Sequence, residues 1–250
     1  MGAARAFLRP GLPRRSGHAA RGHGPLRARL RQRLLGRPAD GLRRRGRRLF
    51  PAVHREPGCH RARAGSRAGA IHLWPDLRRQ PGALNESVCD VLGALVRQRL
   101  LGQEAGSADW LIGADLLTDR VQGVALRSMA APGTAYDDPA LGQDPQPAHM
   151  DDYVDLPHDA DNDNGGVHIN SGIPNKAFHL FATGLGGRAW ERAGQVWYDT
   201  LATRGRIARD VDFATFAAAT AESARERYAD APEVLDALLA AWDGVGLPVS

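Results

Sequence analysis

The first 80 residues of this 250-residue chain contain no lysine and only three acids, Asp40, Glu56 and Asp76. They hold 21 arginines, a net charge of +18, whereas residues 81–250 set 12 basic residues against 25 acidic ones, a net charge of −13. The formal total of +5 is a sum of two unlike pieces and describes neither surface. Clustered positive charge binds phosphates, but an arm without lysine and with few interleaved aromatics is a poor nucleic-acid binder, so no nucleic-acid partner is expected. Only two cysteines are present, Cys59 and Cys89, which excludes a disulfide framework and a thiolate metal site. No apolar run reaches membrane-spanning length, so no membrane partner is expected either. The basic N-terminus lacks the apolar stretch of a secretory signal, because Arg and Pro interrupt it throughout, which leaves an intracellular location open.

Residues 1–80 sustain no hydrophobic period of 2 or 3.6, and runs such as Arg43-Arg44-Arg45-Gly46-Arg47-Arg48 offer nothing to bury. Disorder is the expectation there. From Pro81 the texture changes. Leu84, Val88, Val91, Leu92, Leu95 and Val96 predict a helix over 84–101. Residues 103–167, rich in Gly, Pro and Asp, predict long loops with short elements. Four more helices are predicted, at about 174–184, 187–203, 212–229 and 232–243, with Pro174 and Pro232 suited to first turns. Short connections imply an antiparallel bundle. The fold class is mainly α, with residues 81–250 as its one folded domain.

Glu86 and Asp90 are four apart and share a face of the first helix. Taken alone, such a pair is more often a solvated face than a site. The loop Asp163-Asn164-Gly165-Gly166-Val167-His168-Ile169-Asn170-Ser171-Gly172 says more: two glycines free the backbone beside a histidine, with an aspartate five residues upstream able to orient its imidazole. His149, His158 and His179 match no ligand spacing.

Four motifs occur in order: Gly82-Ala83-Leu84-Asn85-Glu86-Ser87-Val88-Cys89-Asp90, Asp109-Trp110-Leu111-Ile112-Gly113, Leu126-Arg127-Ser128-Met129, and the His168 loop continuing to Asn175-Lys176-Ala177. Together they resemble the C-terminal half of thermolysin-like neutral zinc metallopeptidases, over residues 81 to about 245. The resemblance implies the helical subdomain of an α+β metalloendopeptidase, secreted, acting on peptide or protein substrates. By it Glu86 is the third zinc ligand and Asp90 a carboxylate orienting a zinc-bound histidine. Arg127 and His168 bind substrate and stabilise the oxyanion, and Asp163 holds His168 in its donating form. Calcium is in doubt: Arg97, Leu111 and Ala114 stand where thermolysin has Glu, although Asp109 and Asp115 remain. The alternation Asp159, Asp161, Asp163 lacks the glycine and closing glutamate of an EF-hand.

The family draws its other two zinc ligands and its general base from His-Glu-x-x-His, the handhold of its catalytic helix. That motif occurs nowhere in these 250 residues. It can be found one base out of frame. Ala62-Arg63-Ala64-Gly65-Ser66 can be encoded GCA CGA GCT GGC TCA, which with a following C reads His-Glu-Leu-Ala-His one base later. Residues 54–79 can give T-E-S-L-D-V-I-G-H-E-L-A-H-G-P-V-Q-Y-T-C-G-L-I-Y-D-G in that frame, and residues 24–47 a second family-like stretch upstream of it. The second shadow histidine falls at codon 66, twenty positions before Glu86. The expectation is a one-base loss near Arg79-Gln80, with residues 1–80 out of frame and the literal chain inactive. The competing readings are an authentic arginine-rich arm and a non-catalytic helical interaction remnant.

Overall fold

The computed structural model describes residues 77–250. The expectations of disorder and of a displaced frame fall almost wholly on residues 1–76 and lie outside the described residues.

Helix α1 spans Arg79–Leu101, so it begins five residues before the apolar period that predicted it. Pro81 sits in its first turn, where a missing amide hydrogen breaks no helical bond. Gln80 gives this early turn a reason: its Oε1 accepts the backbone N–H of Phe213 at 2.8 Å, satisfying an orphan donor at the start of a later helix. α1 ends at Gly102, whose left-handed φ of 66° closes the last turn.

The expected loop region follows. Its strands form two antiparallel pairs, β1 (Leu111–Ile112) with β2 (Arg127–Ser128) and β3 (Asp137–Asp138) with β4 (Gly142–Gln143), and three single 3-10 turns lie in the same region. Side chains stand in for a ladder. Asp144 Oδ2 accepts the N–H groups of Gly133 and Ala135, and Asp138 Oδ1 those of Ala140 and Leu141. A small apolar cluster of Val121, Ala135, Tyr136 and Leu141 packs beneath them.

The rest is helical: α2 (Asp163–Asn170), α3 (Gly172–Leu185), α4 (Ala193–Ala202), α5 (Phe213–Arg227) and α6 (Pro232–Asp243). α6 matches its predicted bounds. α4 is shorter than predicted, because Gly186 and Gly187 both take positive φ and Arg192 Nη2 donates to the carbonyl of Leu185, so residues 187–192 form a connecting turn. Trp197 is the centre of the bundle. It meets Phe178 and Phe181 of α3, Phe216 of α5 and Trp242 of α6, with ring centroids 4.9–5.9 Å apart, and lies within 7° of parallel to Trp242. The indole N–H of Trp242 is satisfied, since Nε1 donates to Thr220 Oγ1 at 2.9 Å. α1 packs on α2 and α3, which places Glu86 and Asp90 beside the His168 turn.

Candidate active site

The turn that carries His168 is wound the wrong way. Asp163, Asn164, Gly165 and Gly166 have φ of 56°, 51°, 91° and 76°, four left-handed residues in a row. Each would cost an ordinary residue about 1–2 kcal/mol, and glycine, Asn and Asp are the types that tolerate it. The reversal brings the Asp163 carboxylate back onto His168. Oδ2 accepts the backbone N–H of His168 at 2.8 Å, and Oδ1 lies 2.5 Å from Nδ1. The imidazole is thereby fixed with Nδ1 protonated and Nε2 facing Glu86, 3.5 Å from Oε2. Burial works against a charge on this ring, but the Asp163 hydrogen bond and the charges of Asp163 and Glu86 outweigh it, even with Arg127 opposing, and raise the His168 pKa above its ordinary value. Nδ1 is set as the donor to Asp163, and the raised pKa favours the form in which Nε2 donates as well. Gln146 secures the turn after it, donating from Nε2 to the carbonyl of His168 at 2.8 Å and to Ser171 Oγ at 3.0 Å.

One turn beyond Glu86 on α1, Asp90 is 5% exposed. Arg127, delivered by β2, clamps it with Nε to Oδ2 at 2.8 Å and Nη2 to Oδ1 at 2.7 Å. Such a fork is both strong and directional. Asn175 Nδ2 adds a third hydrogen bond to Asp90 Oδ2 at 2.9 Å. Burial disfavours the guanidinium charge, yet Asp90, with Glu86 and Asp144 behind it, raises the Arg127 pKa. A guanidinium has five N–H donors, so the clamp leaves Nη1 for another acceptor. All five residues singled out in the sequence therefore meet: Glu86 with His168 and Asp163, Asp90 with Arg127. Asn175 and Gln146 were missed as site-building residues. Asn175 sat in plain view inside the Asn175-Lys176-Ala177 motif, but its partner is 85 residues away and nothing local indicates it.

A catalytic zinc takes three protein ligands. Among the described residues no group of three or more His, Cys, Asp or Glu could hold a metal ion. His168 Nδ1 is engaged by Asp163, and Glu86 is one carboxylate. The described residues do not by themselves hold zinc. The calcium question has a local answer at Asp109, whose two carboxylate oxygens lie 2.5 and 2.6 Å from Arg97 Nη1, with the N–H of Leu111 donating as well. Asp159 is folded onto its own turn, accepting from the N–H of Asp161 and from Asn162 Nδ2, while Asp163 is turned to His168. These acids do not converge. The other described histidines have structural partners: His149 caps Asp151, His158 accepts from Arg79 Nε, and His179 lies edge-on to Trp110.

Comparison with known proteins agrees with this geometry. The family described as thermolysin metallopeptidase, alpha-helical domain, matches residues 76–247. The "Extracellular metalloprotease" of Pectobacterium carotovorum subsp. carotovorum is 52% identical over 182 residues, covering 73% of this chain and 49% of its own length. "Protease PrtS" of Photorhabdus sp. (strain Az29) is 52% identical over 170 residues, covering 68% and 44%. Among solved structures, the precursor of protealysin, a metalloproteinase from Serratia proteamaculans, superposes with a TM-score of 0.65 at 54% identity, covering 69% of this chain and 52% of that one. The chain spans about half the length of the curated relatives it matches. A helical bundle that brings Glu86, His168 and Asp163 together beside an Asp90–Arg127 clamp, with half its length or more matched to one family, leads to a single assignment: the chain belongs to the thermolysin metallopeptidases, and residues 76–247 are their alpha-helical domain.

Proposed function

We propose that this domain serves a zinc-dependent endopeptidase that hydrolyses internal bonds of peptide or protein substrates. One observation carries the reading: Asp163 Oδ1 lies 2.5 Å from His168 Nδ1, which directs Nε2 to the side where Glu86 Oε2 lies, 3.5 Å away. Negative charge developing on a scissile carbonyl oxygen needs donors already in place, in a site where burial strengthens them. His168 Nε2 and Arg127 Nη1 are such donors. Asp163 fixes the tautomer of one and Asp90 the orientation of the other, so neither has to reorganise as charge develops. Glu86, on the adjoining face of α1, is the zinc carboxylate that this domain contributes. Secretion is proposed on the strength of relatives named extracellular.

In this reading the 250-residue chain as written is inactive. It contains no His-Glu-x-x-His, and the reading places a one-base displacement of its upstream frame near Arg79-Gln80. One structural detail favours that junction: Arg79 takes a left-handed φ of 50° that residues other than glycine seldom adopt. A second reading, a non-catalytic helical remnant, is favoured by the single family-type ligand among the described residues. Expression that starts in the one-base-shifted upstream frame, with one C inserted between the codons of Arg79 and Gln80 so that residues 80–250 are kept, separates the two. The catalytic reading expects stoichiometric zinc and chelator-sensitive peptide cleavage to appear, zinc to be lost on Glu86→Gln, and His168→Ala to keep zinc while losing roughly a hundred- to thousandfold in rate. A repaired protein that binds zinc but cleaves equally fast without His168 would remove that residue from the mechanism.

A further inference from the structure

Two arginines open α1 in places that suit neither. Arg78 is the N-cap, extended at φ −135° and ψ 152°, and its side chain makes no capping bond. A guanidinium has no acceptor to offer, and it adds positive charge at the positive end of the helix. The extended N-cap of α5 shows the alternative, since Asp212 accepts the N–H of Thr215 at 2.7 Å. Arg79 follows at φ 50°, where a Cβ crowds the next carbonyl. Its backbone is also the surface on which the reversed turn rests. A Cβ built on Gly165 would lie 3.2 Å from the backbone N of Arg79 and 3.4 Å from its Cα. Residue 79 is therefore both strained and pressed against the turn that sets His168.

The genetic code narrows what a displaced frame can put here. Every arginine codon has G as its second base, so a codon shifted by one base at 78 or 79 begins with G. Its middle base is the free third base of the arginine codon, and the shifted codon 79 ends in the restored C. Position 79 is then Gly, Ala, Val or Asp, and position 78 one of these or Glu. The backbone selects among them. A left-handed φ against a neighbouring backbone calls for glycine, and an extended N-cap calls for aspartate.

We propose that the intact protein starts α1 with an aspartate at position 78 and a glycine at position 79, and that residue 79 is a positioning residue for His168, acting through Gly165. The proposal rests on the displaced-frame reading. The aspartate caps the N–H of Gln80, because Pro81 has none. The glycine takes the left-handed φ without strain. Residues 163–166 then close on a relaxed backbone, which keeps the Asp163 carboxylate on the N–H and Nδ1 of His168.

The 250-residue chain itself supplies the first test. Arg79→Gly and Arg79→Ala both remove the guanidinium and its bond to His158 Nδ1, so their difference reports the backbone alone. Urea unfolding should give Arg79→Gly a folding constant about fivefold above that of Arg79→Ala, against the greater freedom glycine gives the unfolded chain. Arg78→Asp should likewise exceed Arg78→Ala. Native-state exchange of the His168 N–H reads the positioning role. It should slow in Arg79→Gly and quicken in Arg79→Val, whereas Val234→Ala, which opens the buried core on α6, should leave it unchanged. Glycine no better than alanine overturns the choice at 79, and aspartate no better than alanine overturns the cap. His168 exchange that ignores residue 79, or follows Val234→Ala equally, overturns the positioning role. The gene supplies the second test: the Arg78 codon should end in A and the Arg79 codon should be CGG. Other third bases, with the shifted frame open, overturn the proposal and leave the displaced-frame reading standing. A stop codon in the shifted frame between codons 24 and 79 removes that reading and the proposal with it, whatever the stability of Arg79→Gly.

Discussion

His168 and His179 stand eleven residues apart and are driven in opposite directions by their surroundings. For His168, burial is overcome by the bond to Asp163 and by the charges of Asp163 and Glu86, so its pKa is raised. The stability this arrangement contributes is full below the ordinary histidine value and is lost as pH rises through the folded one. Asp163→Asn removes the carboxylate, and the imidazole C–H resonances of His168 should then titrate at lower pH than in the parent. For His179, burial and then the charge of Lys176 push the pKa down to about 4, and its Nδ1 is buried without a hydrogen-bond partner. The sign reverses: the unfolded histidine binds a proton that the folded one refuses, so stability is full above the ordinary value and is lost as pH falls toward 4. Thermal melting between pH 7 and pH 4 should fall less steeply in His179→Phe, which keeps an aromatic edge on Trp110. An unchanged slope would show that another group sets the acid limb.

At the scale of the element, the left-handed turn of Asp163–Gly166 is the part of the site most open to test. Asn164 holds φ of 51° without being glycine. Asn164→Gly should be neutral or mildly stabilising in urea unfolding, whereas Asn164→Ala should cost about 1–2 kcal/mol. Gly166→Ala faces both the strained φ of 76° and a Cβ only 2.9 Å from Asn170 Nδ2, so it should be the more damaging change. The loop between α1 and α2 supplies a second case. Arg97 holds Asp109 and is drawn further by Asp115. With a guanidinium in that place, added calcium should leave the melting temperature of the parent unmoved. Arg97→Glu should lower it by setting three carboxylates together, and calcium should restore part of the loss. Much of this scale was legible in the order of residues. Two glycines next to a histidine announced an unusual backbone, and the apolar period of α1 announced a helix. The missing five residues at its start were not legible, because Gln80 is placed by Phe213, 133 residues away.

At the scale of the molecule, Trp197 joins α3, α5 and α6 through Phe178, Phe216 and Trp242. Trp197→Ala should cost about 3–5 kcal/mol, a large share of the ~5–15 kcal/mol typical of a whole domain. Loss of cooperative unfolding in urea would register it. Residue order alone determined the helical class, the break in character near residue 80, the absence of His-Glu-x-x-His, and the five residues proposed to carry the chemistry. These are matters of period, charge and motif, and a linear chain displays them. Only the tertiary structure decided that Asp90 is clamped by Arg127 from 37 residues away and by Asn175 from 85. The same holds for His168, whose pKa is raised by a carboxylate brought round by a reversed turn. Each of these depends on what a side chain meets across space, where burial and opposing charge act over a few ångströms whatever the separation along the chain.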